Sequence, residues 1–345
     1  MKATFLASIS FLTHSINIIP EMKMLGFYEL MDAGMFDEEF KSQYGALFQF
    51  NSFNRYAWVI KEVELKETDN VNDVIINNMA LMRFDITTYF NFSWFVKDNN
   101  VSLYNQYAFI KGRKESYIHS SDRPDYCADG GLYDAEFTGT EVERINDIYA
   151  KYLQKSSNHR ISLDTVKKLR EHGEKTTKQI ATSGLINTVH YDDFTSIERA
   201  IMFLGEARSV EFLPRRISIY MQLLEALFAT ESEGVNFKVP LRVANYITTE
   251  SNVKKDIFDK ITEAYNIRSR YLHGDRLNKG NKKKLKMEDL IPISVEIDSI
   301  IRSVLTKIIK EDVDNFLLPT DDEKNKDGEV IKKGLRSYLN ALVFA

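Results

Sequence analysis

Residues 265–274 read Tyr-Asn-Ile-Arg-Ser-Arg-Tyr-Leu-His-Gly and end a long helical pattern. In this stretch Arg268 and His273 stand five residues apart, and Gly274 follows directly. A histidine can transfer a proton near neutral pH, and an arginine guanidinium stays charged and can contact two phosphate oxygens at once. The stretch therefore carries two groups that phosphodiester chemistry can use, and neither needs a metal ion.

The spacing places Arg268 and His273 on different faces of an ideal helix, because five residues turn the chain about 140° beyond one full revolution. The two side chains can meet only if the helix unwinds there, or if a second copy of the chain supplies its own pair. Gly274 fits the first possibility, since glycine commonly adopts the left-handed conformation just past a helix C-terminus. The alternative is structural: a histidine favoured by the helix dipole and an arginine on the solvated face.

Helical patterns also precede and follow this stretch. The apolar spacing predicts four helical regions and a closing segment: Thr195 to the residues before Pro214, Arg215–Thr230, Val239–His273 with a break near 249–252, Asp289–Glu311, and Val330–Phe344. The first helix carries the stripe Ile197, Ala200, Ile201, Leu204 and Ala207, and the second carries Ile217, Met221, Leu224 and Phe228. The C-terminal part of the chain is therefore predicted to be an all-helical bundle.

Glu225 lies on the second of these helices, about 80° from the centre of its apolar stripe. A carboxylate at the edge of a core needs a partner. In one interpretation Glu225 orients Arg268 or His273. In the other it pairs with a structural arginine such as Arg216 or Arg242, or faces water.

A dense basic cluster follows the quoted stretch. Residues 278–286 contain five lysines, and Arg270 lies just before them. Cations there would attract a phosphate backbone without reading its sequence. The candidate RNA-binding residues are Arg270, Lys279, Lys282, Lys283 and Lys284. The alternative for the lysines is a flexible, solvated loop.

The run from about Thr195 to Gly274 resembles the HEPN superfamily, and within it the ApeA-like branch. The resemblance is carried by Arg215-Arg216-Ile217, Leu223 to Phe228, Leu241 to Ala244, and Tyr265-x-x-Arg268-Ser269-x-x-Leu272-His273-Gly274. Many HEPN proteins are metal-independent ribonucleases whose signature is an arginine, four to six residues and a histidine, and they often pair two such motifs across a homodimer. Ser269 stands where family motifs frequently carry Asn, Asp or His, and it joins Glu225 as a candidate for orienting the arginine.

Composition points to two domains in a chain of 345 residues, with 43% hydrophobic and 28% charged residues. The net charge of −4 gives no argument for nucleic-acid binding, so any such surface has to be local. A single cysteine, Cys127, excludes an internal disulfide and a multi-cysteine zinc site and fits a reducing cytoplasm. The absence of a long apolar run argues against a membrane span.

The first 137 residues are predicted to be mainly strands. Lys2–Leu12 is interpreted as a first β-strand, with a short signal sequence as the alternative. Further predicted strands are Tyr44–Phe50, Tyr56–Leu65 and a hairpin of Phe92–Lys97 with Val101–Tyr104, which turns through Asp98-Asn99-Asn100. One helix is predicted over Val71–Thr88, capped by Asp69-Asn70, and another opens at Thr140 with a capping box to Glu143.

One polar cluster in this half could bind a metal. Its members are His119, Asp122, Asp125, Cys127 and Asp129. Their spacing matches no ligand pattern, and Pro124 with Gly130-Gly131 indicates a turn-rich loop, so a solvated loop is the favoured interpretation.

The sequence thus predicts an α+β protein: an N-terminal, strand-rich α+β domain over 1–155, a junction over 156–193, and an all-α HEPN-like bundle over 194–345. The resemblance implies an endoribonuclease in which His273 acts as acid or base and Arg268 stabilises phosphoryl charge. It also implies RNA as substrate, a homodimer, antiviral defence or toxin activity, and a phage-derived trigger or antitoxin as partner. Neither a cofactor nor a metal is expected, since phosphate-binding glycine loops, a nucleophile elbow and a His-Glu-x-x-His motif are absent. The main alternative is a non-catalytic HEPN module that binds RNA or nucleotides and dimerises, and a regulatory subunit is a third.

Overall fold

The computed structural model describes residues 2–13, 22–32, 34, 56–66, 70–113, 117–120, 124–156, 194–279, 283–326 and 328–344. They belong to two compact units. The first lies within Met1–Asp125 and Leu132–His190, and the second within Tyr126–Gly131 and Tyr191–Ala345. The first unit contains an antiparallel sheet with helices, and the second is largely helical, so the α+β class is confirmed. The predicted junction over 156–193 lies, apart from Ser156, outside the described residues.

Five strands form the sheet of the first unit: β1 Lys2–Ser10, β2 Lys23–Leu25, β3 Ala57–Glu64, β4 Ser102–Ile110 and β5 Tyr117–Ser120, in the order β2-β3-β1-β4-β5. The prediction of a first strand is confirmed, because β1 is the central strand and every residue from Ala3 to Ser10 is buried. Its apolar and small residues suit a strand with no solvated face. The predicted strand Tyr44–Phe50 lies outside the described residues.

Within the described residues, the first unit contains the helices α1 Phe27–Asp32, α2 Val71–Ser93 and α3 Gly139–Ser156. The start of α2 was predicted correctly, but the Asn70 side chain makes no capping hydrogen bond. The capping box of α3 is formed by Thr138 and Glu141, two residues before the predicted pair. Glu141 also binds the Lys97 ammonium at 2.9 Å, and this ion pair favours the earlier register.

The predicted hairpin over Phe92–Tyr104 is wrong in its first half. Phe92 and Ser93 are the last two residues of α2, and the aromatic residues Trp94 and Phe95 are buried directly after it. The Asn99 side-chain oxygen accepts hydrogen bonds from the Ser93 hydroxyl and the Val101 N–H, so the polar turn connects a helix to β4. The second predicted strand, from Val101, is confirmed as β4.

The second unit contains these helices: α4 Ser196–Arg208, α5 Leu213–Phe228, α6 Val235–Ile247, α7 Ser251–Leu272, α8 Met287–Lys307, a π-helical turn Ile308–Asp312, α9 Val313–Phe316 and α10 Leu335–Phe344. Two short hairpins, β6 Asn278–Lys279 with β7 Lys283–Lys284 and β8 Glu323–Lys324 with β9 Val330–Lys332, complete it. The predicted helices and the predicted break before Ser251 are confirmed. Helix α5 is buried on most of its circumference and lies against α4, α6, α7 and α8. Within the described residues, no helix is long and apolar enough to cross a membrane.

The segment Tyr126–Gly131, called here the 126–131 segment, belongs to the helical unit although it lies far earlier in the chain. The Tyr126 N–H donates to the Arg208 carbonyl at 2.7 Å, and the Ser294 hydroxyl donates to the Ala128 carbonyl at 2.6 Å. The fully buried Arg216 donates to the carbonyls of Val210 and Cys127. The prediction of a solvated loop is therefore wrong for Cys127 and Ala128, which are buried because their carbonyls bind groups of the helical core.

Candidate functional site

The end of α7 is fixed by its own backbone hydrogen bonds. Helical geometry continues to Leu272, and His273 is the C-cap. The Gly274 N–H donates to Tyr271 and the Asp275 N–H donates to Arg270, which is the pattern of a Schellman motif. Gly274 has a φ of 71°, so the predicted left-handed glycine is confirmed. His273 is therefore held at the last turn, with its side chain exposed to solvent.

Arg268 lies one and a half turns earlier and pairs with Glu225 of α5. The guanidinium Nη2 is 3.2 Å from the carboxylate Oε2, and the two side chains are 27% and 23% exposed. This half-buried position makes the ion pair stronger than a fully solvated one. The structure thus brings together Glu225 and Arg268. This contact agrees with the interpretation in which Glu225 orients Arg268 or His273.

The two arginines offered as structural partners of Glu225 have other partners. Arg216 donates to backbone carbonyls, and Arg242 pairs with Glu231 at 3.1 Å. The carboxylate of Glu225 is therefore directed at the arginine of the quoted stretch. The remaining N–H groups of Arg268 can still face a ligand, because a guanidinium has five donors.

Tyr265 is a residue of this site that sequence reasoning did not select. Its ring lies one turn before Arg268, with 5.9 Å between the guanidinium carbon and the ring centroid. Burial, and after it the nearby Glu225 carboxylate, raises the pKa of the Tyr265 hydroxyl, while the Arg268 guanidinium acts in the opposite direction. The Tyr265 hydroxyl and the Arg268 Nε are both buried and lack a hydrogen-bond partner in the described part of the chain. The sequence signal for Tyr265 was its position three residues before Arg268, because side chains at this spacing are neighbours on a helix.

His273 and Arg268 remain apart in one chain. Because α7 stays helical from Arg268 to Leu272, the helix does not unwind between the two residues, and that predicted route to convergence is wrong. Among the described residues, the His273 side chain has neither a hydrogen bond nor an ion pair. A second copy is the remaining route by which a phosphate could contact both groups.

The other predicted site residues surround the helix end. The Ser269 side chain is exposed, and its carbonyl accepts the His273 N–H at 3.1 Å. Arg270 is half-buried. The lysine cluster, which was predicted to be a loop, forms the hairpin β6–β7: Lys279 pairs with Lys283, and Lys284 pairs with Asn278. Lys282 lies outside the described residues. The two paired strands fix the backbone of Lys279, Lys283 and Lys284, which follow His273 by six to eleven residues.

The polar cluster that was weighed as a metal site, and interpreted as a solvated loop, forms no metal site among the described residues. His119 contacts the Arg83 guanidinium, with 2.9 Å between Nε2 and Nη1, and Cys127 is buried, while Asp122 lies outside the described residues. Where the structure describes the chain, no group of three His, Cys, Asp or Glu side chains is placed to hold a metal ion. No family model, curated protein or solved structure matches this chain.

Proposed function

We propose that the protein is a metal-independent endoribonuclease with a HEPN-like helical domain. The observation that carries this proposal is the arrangement at the end of α7. Glu225 orients Arg268 from a neighbouring helix, and His273 is exposed at the C-cap of α7, in a turn closed by backbone hydrogen bonds. The arrangement supplies a permanent cation and a proton carrier on rigid elements, as phosphodiester cleavage requires.

In the proposed reaction, a ribose 2′-hydroxyl attacks the adjacent phosphorus, and the bond from phosphorus to the 5′-oxygen breaks. The products are a 2′,3′-cyclic phosphate and a free 5′-hydroxyl. One His273 accepts the proton of the 2′-hydroxyl, and the partner copy's equivalent histidine donates a proton to the departing 5′-oxygen. Arg268 stabilises the negative charge that builds up on the phosphoryl oxygens.

The proposal includes a homodimer, because one chain keeps Arg268 and His273 on different faces of α7. Exposed apolar side chains near this end of the unit, Leu272 on α7 and Met287 and Ile291 on α8, offer surface for such an association. The basic residues around β6–β7 would hold the RNA backbone. Antiviral or toxin activity, a phage-derived trigger or antitoxin, and a cytoplasmic location belong to the same proposal.

The test is cleavage of RNA by the purified full-length protein in the presence of a metal chelator. His273→Ala is expected to lower the rate about 100-fold or more, since a positioned acid or base contributes at least that factor. Arg268→Ala should have an effect of similar size, because its charge acts on the same transition state. His119→Ala and Arg215→Ala are the matched controls and should cleave normally. Mass spectrometry of the products should show the cyclic phosphate.

Growth and RNA integrity in bacteria that express each protein, measured with and without phage infection, provide the second measurement, since a host-derived or phage-derived trigger is then supplied. Wild type should degrade RNA and His273→Ala should not, with both folded. Identical RNA profiles for the two proteins, together with no cleavage in vitro, would contradict the ribonuclease proposal.

The separation of Arg268 and His273 within one chain favours a second candidate function, a non-catalytic module that binds RNA and dimerises. In that case the wild type binds RNA without forming a cyclic phosphate, and Arg268→Ala weakens binding while His273→Ala changes little. Mass in solution tests the dimer separately from either function.

A further inference from the structure

An aromatic pair lies beside the candidate site. The rings of Phe212 and Tyr271 meet edge to face, with centroids 5.9 Å apart and planes at 60°. Tyr271 stands between Arg268 and His273 on α7, so it follows Arg268 by one turn, or about 4.5 Å along the axis. Phe212 reaches the same place from the start of α5.

Neither helix capping nor core packing explains Phe212. It occupies the N-cap position of α5, where Ser, Thr, Asp or Asn would bind the free backbone N–H groups, and its side chain makes no such bond. Its side chain is also 49% exposed, while the adjacent Leu213 is buried. A large aromatic side chain at this position thus gives up a capping bond and still contacts water.

The sequence that contains and follows Tyr271 is strongly basic, while Glu211 directly precedes Phe212. Residues 268–286 contain eight arginines and lysines and one acidic residue, Asp275. This local charge contrasts with the net charge of −4 of the whole chain. An exposed aromatic surface next to a basic segment is complementary to a polyanion that carries flat rings, which is the chemistry of a nucleic acid strand.

We propose that Phe212 and Tyr271 form a stacking subsite for one unpaired nucleobase next to the phosphate that Arg268 binds. Because a base in a duplex is already stacked on both faces, only a single-stranded or looped RNA can occupy this subsite. The inference rests on the proposed function for the identity of the polymer as RNA, and it adds that the substrate is unpaired at the site of cleavage.

The experiment measures binding of an uncleavable RNA, with 2′-O-methyl riboses and one fluorescent base analogue, to the full-length protein. Phe212→Ala should weaken binding of the single strand about tenfold, since one base–aromatic stack contributes about that factor. Binding of the matching duplex should change less than about twofold, because the subsite does not contact it. Phe212→Trp should restore single-strand affinity and quench the fluorescent base.

Phe237→Ala is the matched control. Phe237 is also at the start of a helix, is 58% exposed, and contacts a second ring, that of Phe258, edge to face at 5.7 Å. It lies on α6 and outside the basic stretch, so its removal should leave RNA binding unchanged. Equal losses for Phe212→Ala and Phe237→Ala would overturn the subsite, and so would equal losses for single strand and duplex.

The outcome is independent of cleavage. If Phe212→Ala binds the single strand as wild type does while His273→Ala stops cleavage, the stacking subsite is wrong and the ribonuclease proposal stands. If the wild type forms no cyclic phosphate yet Phe212→Ala loses single-strand affinity selectively, the subsite stands and the catalytic proposal fails.

Discussion

Glu225, Arg268 and Tyr265 form a cluster in which two buried hydrogen-bond donors have no acceptor among the described residues. One contact of 3.2 Å joins the carboxylate to the guanidinium, while the Tyr265 hydroxyl and the Arg268 Nε are buried without a partner among the described residues. Buried donors without acceptors cost about 1 to 3 kcal/mol each. Such a cost is tolerated where the groups serve a ligand, and here the ligand would be the phosphate bound by Arg268.

We expect Tyr265→Phe to lower kcat for RNA cleavage about three- to tenfold with KM almost unchanged, because the hydroxyl helps to position Glu225 and, through it, Arg268. The folded protein should lose little stability, since the cost of burying the hydroxyl offsets most of its interaction with the Glu225 carboxylate. Steady-state kinetics and thermal unfolding measure the two effects.

Tyr246→Phe is the control for this variant, because the Tyr246 hydroxyl is likewise buried and without a partner in the described part of the chain. It lies beside Lys307 and not beside Glu225. A kcat for Tyr265→Phe equal to that of the wild type would contradict the role of Tyr265 in positioning Glu225. A loss of kcat of the same size in Tyr246→Phe would contradict it as well.

At the level of single residues, the sequence predicted the Glu225 position and the Gly274 conformation. Both depend on local rules: the angle between residues of one helix, and the left-handed preference of glycine. The sequence did not indicate Tyr265 as a site residue. Whether its hydroxyl is buried beside Glu225 depends on which helix packs against it. The partner of Glu225 stayed open for the same reason between Arg268 or His273, a structural arginine such as Arg216 or Arg242, and water.

The end of α7 shows how one element controls a functional side chain. His273 has its position because the Schellman motif stops the helix at Gly274, whose φ of 71° is costly for any residue with a side chain. No atom lies within 4 Å of a Cβ built on Gly274, so the cost of a substitution there comes from the backbone alone.

Gly274→Ala should therefore lower the free energy of unfolding by about 1 kcal/mol, measured by urea titration. Gly205→Ala is the matched control: Gly205 lies inside α4, has an ordinary φ, and also has no neighbour within 4 Å of a built Cβ. Alanine there should stabilise by about 0.5 to 1 kcal/mol. The same sign for both variants would contradict the role assigned to the left-handed residue.

Among the elements, long amphipathic helices were predicted well and short aromatic runs poorly. The stripe of α5 repeats at helical spacing over sixteen residues, so its pattern is unambiguous. The run from Phe92 to Lys97 has four aromatic or apolar side chains among six residues. A strand and a buried helix end share this composition. The capping box of α3 was displaced by two residues because Thr138 and Thr140 each precede a glutamate by three positions, and only the Lys97 contact distinguishes them.

The whole molecule combines a sheet-containing unit with a helical unit, and this division followed from composition and pattern. The 126–131 segment did not, because its bonds to the second unit use backbone carbonyls, which every sequence has. Local sequence patterns therefore do not predict a structural unit that is built from two separate stretches of the chain.

Buried tyrosines in both units make the whole fold sensitive to alkaline pH. Burial raises the pKa of Tyr107 and of Tyr149 from 10.0 to about 12 in the first unit, and burial also raises the pKa of Tyr265 in the second. Since the folded-state pKa lies above the unfolded value, this stabilisation is fully present below about pH 10 and is lost as the pH rises through the folded pKa.

We expect the unfolding free energy to fall as the pH rises from about 10 to 12, with the tyrosinate absorbance of the buried tyrosines appearing only as the fold is lost. Near-ultraviolet absorbance and circular dichroism, recorded on the same samples, measure the two events. Ionisation of all tyrosines near pH 10 with an intact circular dichroism spectrum would contradict the burial on which this expectation depends.

The 126–131 segment also bears on how the gene for such a protein can be rearranged. A coding fragment that starts after codon 190 encodes all the helices of the second unit, yet it leaves the Ser294 hydroxyl without the Ala128 carbonyl and Arg216 without the Cys127 carbonyl. Recombination that transplants this unit into another protein has to transfer two separate stretches of DNA.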